Sequence, residues 1–161
     1  LQQLGQFGED GRRVALAGRR LAGRQADLAL RHGDAGDAVD HAEQVLLTCF
    51  LNLRVTADTI LSRKPRNVVI IPAGKISNDT RAEEDDVSAL ALEALLNGRE
   101  FDVKGAAVAV KNSQGVRRRL HEEDGLEADV DFALRYDVSS TCLRVEREGT
   151  RVFRILPFTH R

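Results

Sequence analysis

Four consecutive carboxylates, Glu83-Glu84-Asp85-Asp86, are the residues of this chain best suited to chemistry. Thr80 and Glu83 have the Thr-x-x-Glu spacing of a capping box, which predicts a helix amino terminus and gives Glu83 a structural role. Acidic side chains in a first helical turn are each favourable by about 0.3 to 1 kcal/mol, so a structural role for all four is one interpretation. The other is that Glu84 and Asp85 hold a hard cation such as Mg²⁺, since four carboxylates exceed what capping requires.

The loop before these carboxylates, residues 74–79, has the properties of an anion-binding site. Gly74 lets the backbone approach a ligand closely, Lys75 supplies positive charge, and the free N–H groups of the following helix point outward. The loop has neither a Walker sequence nor a dinucleotide-binding glycine pattern. The prediction that Gly74 and Lys75 bind phosphate therefore rests on their position between a strand and a helix.

A helix, a strand and a second helix must position this loop. Apolar residues recur at helical spacing over residues 46–63, and Arg63-Lys64-Pro65 ends the predicted helix. The continuous β-branched run at residues 67–73 predicts a strand that is buried on both faces, and therefore central and parallel. The second helix is predicted to open at the Thr80–Glu83 capping box and to run to Leu96, with Asn97-Gly98 closing it. Its predicted buried stripe consists of Val87, Leu90, Ala91, Ala94 and Leu95.

The elements that follow complete an α/β pattern. Helices are predicted at residues 103–110, 113–123 and 128–134, and residues 141–147 and 150–158 have the pattern of a hairpin. Helices that alternate with strands, one of them parallel, predict an α/β fold with a parallel or mixed sheet and flanking helices.

The composition changes near residue 45, which predicts two unlike segments. Residues 1–44 hold seven of the 13 glycines and contain no Lys, Ser, Thr, Asn, Pro or Ile. Two interpretations stay open: an Ala/Arg-rich helical hairpin interrupted by glycines, or a non-native stretch of the kind that GC-rich DNA gives in an unintended frame. Residues 45–158 are predicted to form one α/β domain. Because the chain has no Met and begins with Leu1, we expect it to be an incomplete translation product: a fragment, a trimmed chain or a translation begun at the wrong place.

Charge and hydropathy exclude several classes of function. The formal net charge is −1, so no basic excess indicates a nucleic-acid partner. No apolar run approaches the roughly 18 to 20 residues that a membrane span needs. Cys49 and Cys142 lie in apolar sequence and have no metal-type spacing with the four histidines, which predicts reduced core thiols in a cytoplasmic protein.

Three short segments occur in an order that is typical of one enzyme family. The first is Cys-Phe-Leu-Asn at residues 49–52, which is similar to a Ser-Phe-Leu-Asn helix start. The second joins residues 68–74 to Glu84-Asp85 and Ser88-Ala89, and the third spans residues 129–138 with its Asp-Val pairs. Over about residues 45–145 the chain resembles the carboxyl-terminal half of the 2-phosphosulpholactate phosphatase family of coenzyme M biosynthesis (the ComB family).

The resemblance implies a Mg²⁺-dependent phosphatase of α/β fold that releases phosphate from a sulfonated lactate ester. It implies that Asn52, Gly74, Glu84 and Asp85 lie near the active site. Glu84 and Asp85 would be the metal or water-positioning carboxylates, and Asn52 and the Gly74-Lys75 loop would bind the substrate and its phosphate. The expected partner is a small phosphorylated, sulfonated molecule, and neither a nucleic acid nor a membrane is expected.

The chain also departs from the family pattern. The family's amino-terminal half carries motifs of the Asp-Val-Leu-Arg-Ala-Thr and Asn-Gly-Thr types, and neither occurs here. We therefore expect a fold that is incomplete relative to the family. The alternative function is a non-catalytic remnant, or a module that binds a small anion and lacks the catalytic amino-terminal half. Because half a fold exposes apolar surface, we also expect aggregation or a homo-oligomer.

Overall fold

Two three-stranded sheets and five α-helices make up the part of the chain that the computed structural model describes, residues 14–21, 24–30, 42–72, 83–148 and 152–158. The strands are β1 (Val14–Leu21), β2 (Arg24–Leu30), β3 (Val45–Leu47), β4 (Asn67–Ile70), β5 (Leu143–Glu148) and β6 (Val152–Pro157). The helices are α1 (Leu53–Arg63), α2 (Glu83–Leu96), α3 (Val103–Lys111), α4 (Gln114–Glu122) and α5 (Leu126–Ala133), and a 3₁₀ helix at Phe50–Asn52 precedes α1.

The first sheet is mixed, in the order β1-β2-β4. β1 and β2 are antiparallel, whereas β2 and β4 are parallel with Leu28 opposite Val68 and Leu30 opposite Ile70. The second sheet is antiparallel, in the order β3-β5-β6. The predicted α/β class with a mixed sheet is therefore confirmed. The predicted carboxyl-terminal hairpin is confirmed as β5 and β6.

The strand predicted at residues 67–73 is parallel, as expected, but it is not central. β4 lies at one end of the three described strands of its sheet. Ile70 is buried and Val69 is exposed, so only one of its faces is covered. A short β-branched run can form either a central strand or a strand at the end of a sheet. Its sequence therefore does not distinguish the two positions.

The helical hairpin considered for residues 1–44 is wrong for the part of this segment that is described. β1 and β2 pair as antiparallel strands, with a register shift between Leu16 and Arg19. Glycine destabilises a helix interior by about 1 kcal/mol relative to Ala, and the apolar residues of this segment satisfy strand pairing instead. The division of the chain at residue 44 stays a prediction.

The helix predicted at residues 46–63 begins later than expected. Val45–Leu47 forms β3, which pairs with β5 through Val45 opposite Val145 and Leu47 opposite Leu143. α1 starts only at Leu53 and ends at Arg63 as predicted, with Lys64 left-handed at φ 51°. The three apolar residues of β3 fit helical spacing as well as a strand, so the sequence pattern does not mark where α1 begins.

The core lies between α1, α2 and β4. Its buried residues are Phe50, Leu53, Ala57, Ile70, Ala89, Ala91, Leu92 and Leu96. α2 ends at Leu96 as predicted. Ala91 and Ala94 of its predicted stripe are buried, and Val87 and Leu95 pack half-buried against the core, but Ala89 and Leu92 are buried as well. Leu90 was predicted to be buried and is 41% exposed. Because nearly every residue of α2 after Ser88 is apolar, the sequence predicts the helix but does not predict which of its faces is buried.

The end of α2 has the geometry that Asn97-Gly98 predicted. Gly98 is left-handed at φ 63°, and its N–H donates to the Leu95 carbonyl at 3.0 Å. The Arg99 N–H donates to the Ala94 carbonyl at 2.8 Å, which completes a Schellman motif. Arg99 Nη2 also pairs with the buried Glu93 carboxylate at 2.8 Å. These bonds fix the direction in which the chain leaves α2.

The three helices after α2 lie where the sequence predicted them. Asp102 caps α3 by accepting from the Gly105 N–H at 3.0 Å, and Ser113 caps α4 by accepting from the Val116 N–H at 3.3 Å. Such caps satisfy N–H groups that have no partner inside the helix. None of the helices in the described residues has both the length and the apolar character that a membrane crossing requires.

The observed rotation of α2 predicts unequal costs for two leucines on one helix. Leu92 is 4% exposed, so Leu92→Ala should lower the free energy of unfolding by about 2 to 5 kcal/mol. Leu90→Ala is the matched control and should cost less than about 1 kcal/mol, because that side chain already contacts water. Urea denaturation followed by circular dichroism measures both values. Equal costs would contradict the rotation described here.

Candidate functional site

Three of the five predicted site residues lie in the described part of the chain. Asn52 is the last residue of the 3₁₀ helix, and Glu84 and Asp85 lie in the first turn of α2. Gly74 and Lys75 lie outside the described residues, as does Thr80 of the predicted capping box.

The acidic turn of α2 is held by the core beneath it. Glu83 is exposed, whereas Glu84 and Asp85 are half-buried. The hydroxyl of Ser88 donates to the Glu84 carbonyl at 2.8 Å, and Ala89 begins the buried face that packs in the core. The carboxylates therefore lie at the solvent-facing start of a helix whose next turn is fixed.

The carboxyl ends of two parallel strands meet at one edge of the mixed sheet. Leu30 ends β2 opposite Ile70, which ends β4. The chain leaves β4 at this edge and enters α2 at Glu83 after residues 71–82. Ligands of α/β sheets bind outside the carboxyl ends of strands, so this strand–loop–helix segment has the position expected of a site.

The side chain of Asn52 joins two distant parts of the chain. It is 4% exposed. Its Oδ1 accepts from the Cys49 N–H at 2.9 Å and from the Thr48 hydroxyl at 3.3 Å. Its Nδ2 donates to the carbonyls of Leu47 at 3.3 Å and Thr141 at 3.2 Å. An amide offers two donors and two acceptor positions, so these contacts use its full capacity. The structure thus gives Asn52 an architectural role, and its role in substrate binding stays a prediction.

Asp137 belongs to the third segment of the family resemblance, where it was given no role, and it holds the amino terminus of α1. Its Oδ1 accepts from the Arg54 N–H at 2.8 Å, and its Oδ2 accepts from the Arg54 Nε at 2.8 Å. This hydrogen bond and the carboxylate charge raise the pKa of the Arg54 guanidinium. Asn52, the residue before α1, makes no side-chain cap, so the capping carboxylate comes from far along the chain.

The backbone of Asp137 is left-handed, and nothing in the sequence predicts this conformation. Its φ is 61°, a conformation that Asp tolerates better than most residues. Its N–H donates to the Phe50 carbonyl at 2.9 Å, and the Ser139 N–H donates to the Leu51 carbonyl at 2.8 Å. Two of the three segments that carried the family resemblance are therefore bound to each other.

This arrangement decides which helix end is open to an anion. A helix amino terminus attracts negative charge, but at α1 the Asp137 carboxylate already occupies that place. The amino terminus of α1 is therefore closed to a further anion. The segment between β4 and α2 remains the candidate.

The two cysteines differ in their surroundings. Both are free, with Cys142 buried as predicted and Cys49 exposed, which corrects the expectation of a core thiol at Cys49. Cys49 precedes the 3₁₀ helix with extended backbone, and the buried residues begin only at the next position, Phe50.

Within the ranges that the structure describes, no group of three His, Cys, Asp or Glu side chains is arranged to hold an ion. Mg²⁺ needs no such group, because it is commonly bound by one or two carboxylates together with water and substrate phosphate. Glu84 and Asp85 are therefore compatible with Mg²⁺.

Comparison with known proteins gave one match. The family model described as 2-phosphosulpholactate phosphatase matches residues 34–148, well over half of the chain. No curated protein and no solved structure matches the chain. The matched range contains Asn52, Glu84, Asp85 and Asp137, and also the loop with Gly74 and Lys75.

Removing the Asn52 amide should destabilise the fold. Asn52→Ala removes the hydrogen bonds that the amide makes to the Cys49 N–H and to the carbonyls of Leu47 and Thr141, so we expect a loss of at least about 2 kcal/mol. Asn112→Ala is the control, since its exposed amide makes one bond to the Val108 carbonyl and its removal should cost less than about 1 kcal/mol. Chemical denaturation measures both. A loss at Asn52 no larger than at Asn112 would show that the amide does not hold the two segments together.

Removing the charge of Asp137 should weaken α1. Asp137→Asn keeps an acceptor and tolerates the left-handed backbone but removes the negative charge at the helix end, so we expect a loss of about 1 kcal/mol. Arg54 is exposed, so the ion pair itself adds little to this figure. The loss should shrink in high salt, because salt screens the interaction. Denaturation at two salt concentrations tests this, and a loss that is independent of salt would exclude an electrostatic cap.

Proposed function

Because the chain belongs to the 2-phosphosulpholactate phosphatase family, we propose that it hydrolyses the phosphate ester of a small sulfonated hydroxy acid. The family match over residues 34–148 is the observation that carries the proposal. The coenzyme M biosynthetic setting and a cytoplasmic location are parts of this proposal that follow from the family resemblance and from the two free cysteines.

In this proposal Glu84 and Asp85 are the carboxylates that hold Mg²⁺ and orient water. Their half-buried position at the start of α2 supports this role, because a carboxylate near a fixed helix end keeps its geometry. Adjacent residues on a helix point about 100° apart, so we expect one carboxylate to contact the ion directly and the other through water. When bound, the ion would supply positive charge to the phosphoryl oxygens.

The proposed reaction is the transfer of a phosphoryl group to water. A water oxygen bonds to phosphorus and gives up a proton, the bond between phosphorus and the ester oxygen breaks, and the leaving oxygen takes up a proton in exchange. A carboxylate of Glu84 or Asp85 would orient the attacking water by accepting a hydrogen bond from it. The products are inorganic phosphate and the sulfonated hydroxy acid.

Gly74 and Lys75 are proposed to bind the phosphate before the reaction. Their position between the carboxyl end of β4 and the amino terminus of α2 supports this, since both the Lys75 ammonium and the backbone N–H groups suit an anion. Asn52 is proposed to act indirectly. Its hydrogen bonds fix the segment before α1, on which α2 packs.

Loss of the two carboxylates should abolish Mg²⁺-dependent turnover. Glu84→Gln combined with Asp85→Asn should lower phosphate release from 2-phosphosulpholactate by about 100-fold or more, since even outer-sphere partners of a metal account for roughly 10- to 100-fold. The same variant should lose the Mg²⁺-induced rise in thermal stability, which is about 2.7 kcal/mol for a ligand present at 100 times its dissociation constant.

The matched control removes two other carboxylates near a helix start. Asp124→Asn combined with Glu127→Gln changes the same number of charges at the amino end of α5 and should leave both readouts unchanged. Full activity in the Glu84/Asp85 variant would disprove the assignment of these residues. A chain that binds phosphate but releases none from any phosphate ester would favour the alternative of a non-catalytic anion-binding module.

A further inference from the structure

Ser88 is the one uncharged polar residue of α2. The helix otherwise consists of Glu, Asp, Val, Ala and Leu. Serine is a weaker helix former than alanine, because its hydroxyl competes for backbone groups within the helix. In α2 the hydroxyl makes a specific contact, since Ser88 Oγ donates to the Glu84 carbonyl at 2.8 Å. The side chain of Ser88 therefore acts on the first turn of α2.

The carbonyl that Ser88 binds belongs to the peptide unit that joins Glu84 to Asp85. A peptide unit is planar, and its plane includes the Cα atoms of both residues. The hydroxyl therefore holds the two Cα atoms from which both candidate carboxylates extend. A bond to any other carbonyl of this turn would hold at most one of them.

The first turn of α2 depends on such a bond more than the turns after it. The first N–H groups of a helix have no partner within the helix, and helix ends fray. Glu83 begins α2 and is exposed, whereas Ala89 and Leu92 are buried in the core. Ser88 is half-buried and lies between them. Its hydroxyl thus ties the acidic turn to the part of the helix that the core fixes.

The same bond leaves the side chains, rather than the backbone, to bind a cation at this turn. A carbonyl oxygen has two lone pairs, and in an α-helix the Ser88 N–H also donates to the Glu84 carbonyl. Ser88 therefore fills both acceptor positions of that oxygen. A cation would be held by the carboxylates of Glu84 and Asp85, whose directions depend on the peptide plane between them.

We infer that Ser88 is a positioning residue: its hydroxyl holds the Glu84–Asp85 peptide so that the two carboxylates keep the relative direction in which they bind Mg²⁺. This inference rests on the proposed function, in which Glu84 and Asp85 hold the ion. Ser88 acts through this peptide and contacts neither the ion nor the substrate. Groups that orient the ligands of a metal account for roughly 10- to 100-fold in metal affinity or activity.

Removal of the hydroxyl tests the inference through Mg²⁺ binding itself. Ser88→Ala should raise the Mg²⁺ dissociation constant of the full chain by about tenfold, measured by isothermal titration calorimetry without substrate. Ser88→Thr keeps a hydroxyl that can bind the carbonyl four residues earlier, so its dissociation constant should stay within about twofold of wild type. Both variants should melt within about 4 °C of wild type, because one half-buried hydrogen bond is a small part of the total stability. Alanine is the better helix former, so a merely structural role would not weaken Mg²⁺ binding in Ser88→Ala and spare it in Ser88→Thr.

Ser62→Ala is the matched control. The Ser62 hydroxyl also donates to a backbone carbonyl, that of Thr59 at 2.8 Å, but it does so in the last turn of α1. This variant should bind Mg²⁺ as wild type does. Equal dissociation constants for Ser88→Ala and Ser62→Ala would overturn the inference and leave the proposed function intact. A wild-type chain that binds no Mg²⁺ would overturn both.

Discussion

The hydrogen bonds of Asn52 are the constraint on which the rest of the structure depends. Its amide binds Leu47 at the end of β3 and Thr141 just before β5, so it connects the antiparallel sheet to the segment that starts α1. α1 then packs against α2, whose first turn carries the candidate carboxylates. Because the amide is buried and fully bonded, its loss would remove four hydrogen bonds at once. The candidate site is therefore positioned by Asn52, whose side chain makes its hydrogen bonds within the protein.

The elements with strong local signals were predictable from sequence. The extent of α2, its Asn97-Gly98 end and the hairpin of β5 and β6 all depend on residues close in the chain. Sequence patterns gave wrong predictions where contacts between distant parts of the chain determine the structure. Val45–Leu47 is apolar enough for a helix but pairs with β5, and the apolar sequence of α2 leaves Leu90 on the outside. The edge position of β4 depends equally on its neighbours rather than on its own residues.

The candidate site was predictable to the same degree. Four acids before an apolar run mark a helix start, and that start lies where Glu84 and Asp85 were expected. Asp137 was missed because its role depends on a left-handed backbone and on a contact with Arg54 across more than eighty residues. No spacing in the sequence records such a contact. Asp137 lies in the third segment of the family resemblance, and the structure shows that this segment holds the amino terminus of α1.

The two helix amino termini near the core present opposite electrostatic situations. At α1, the Asp137 carboxylate satisfies the helix end and neutralises the Arg54 side chain. At α2, four carboxylates of its own first turn crowd the helix end. A phosphate ester carries between one and two negative charges and would be repelled from such a turn unless cations lie between. The proposed site therefore requires Lys75 and a divalent ion together, and this requirement makes loss of Mg²⁺ binding in the Glu84 and Asp85 variant as informative as loss of turnover.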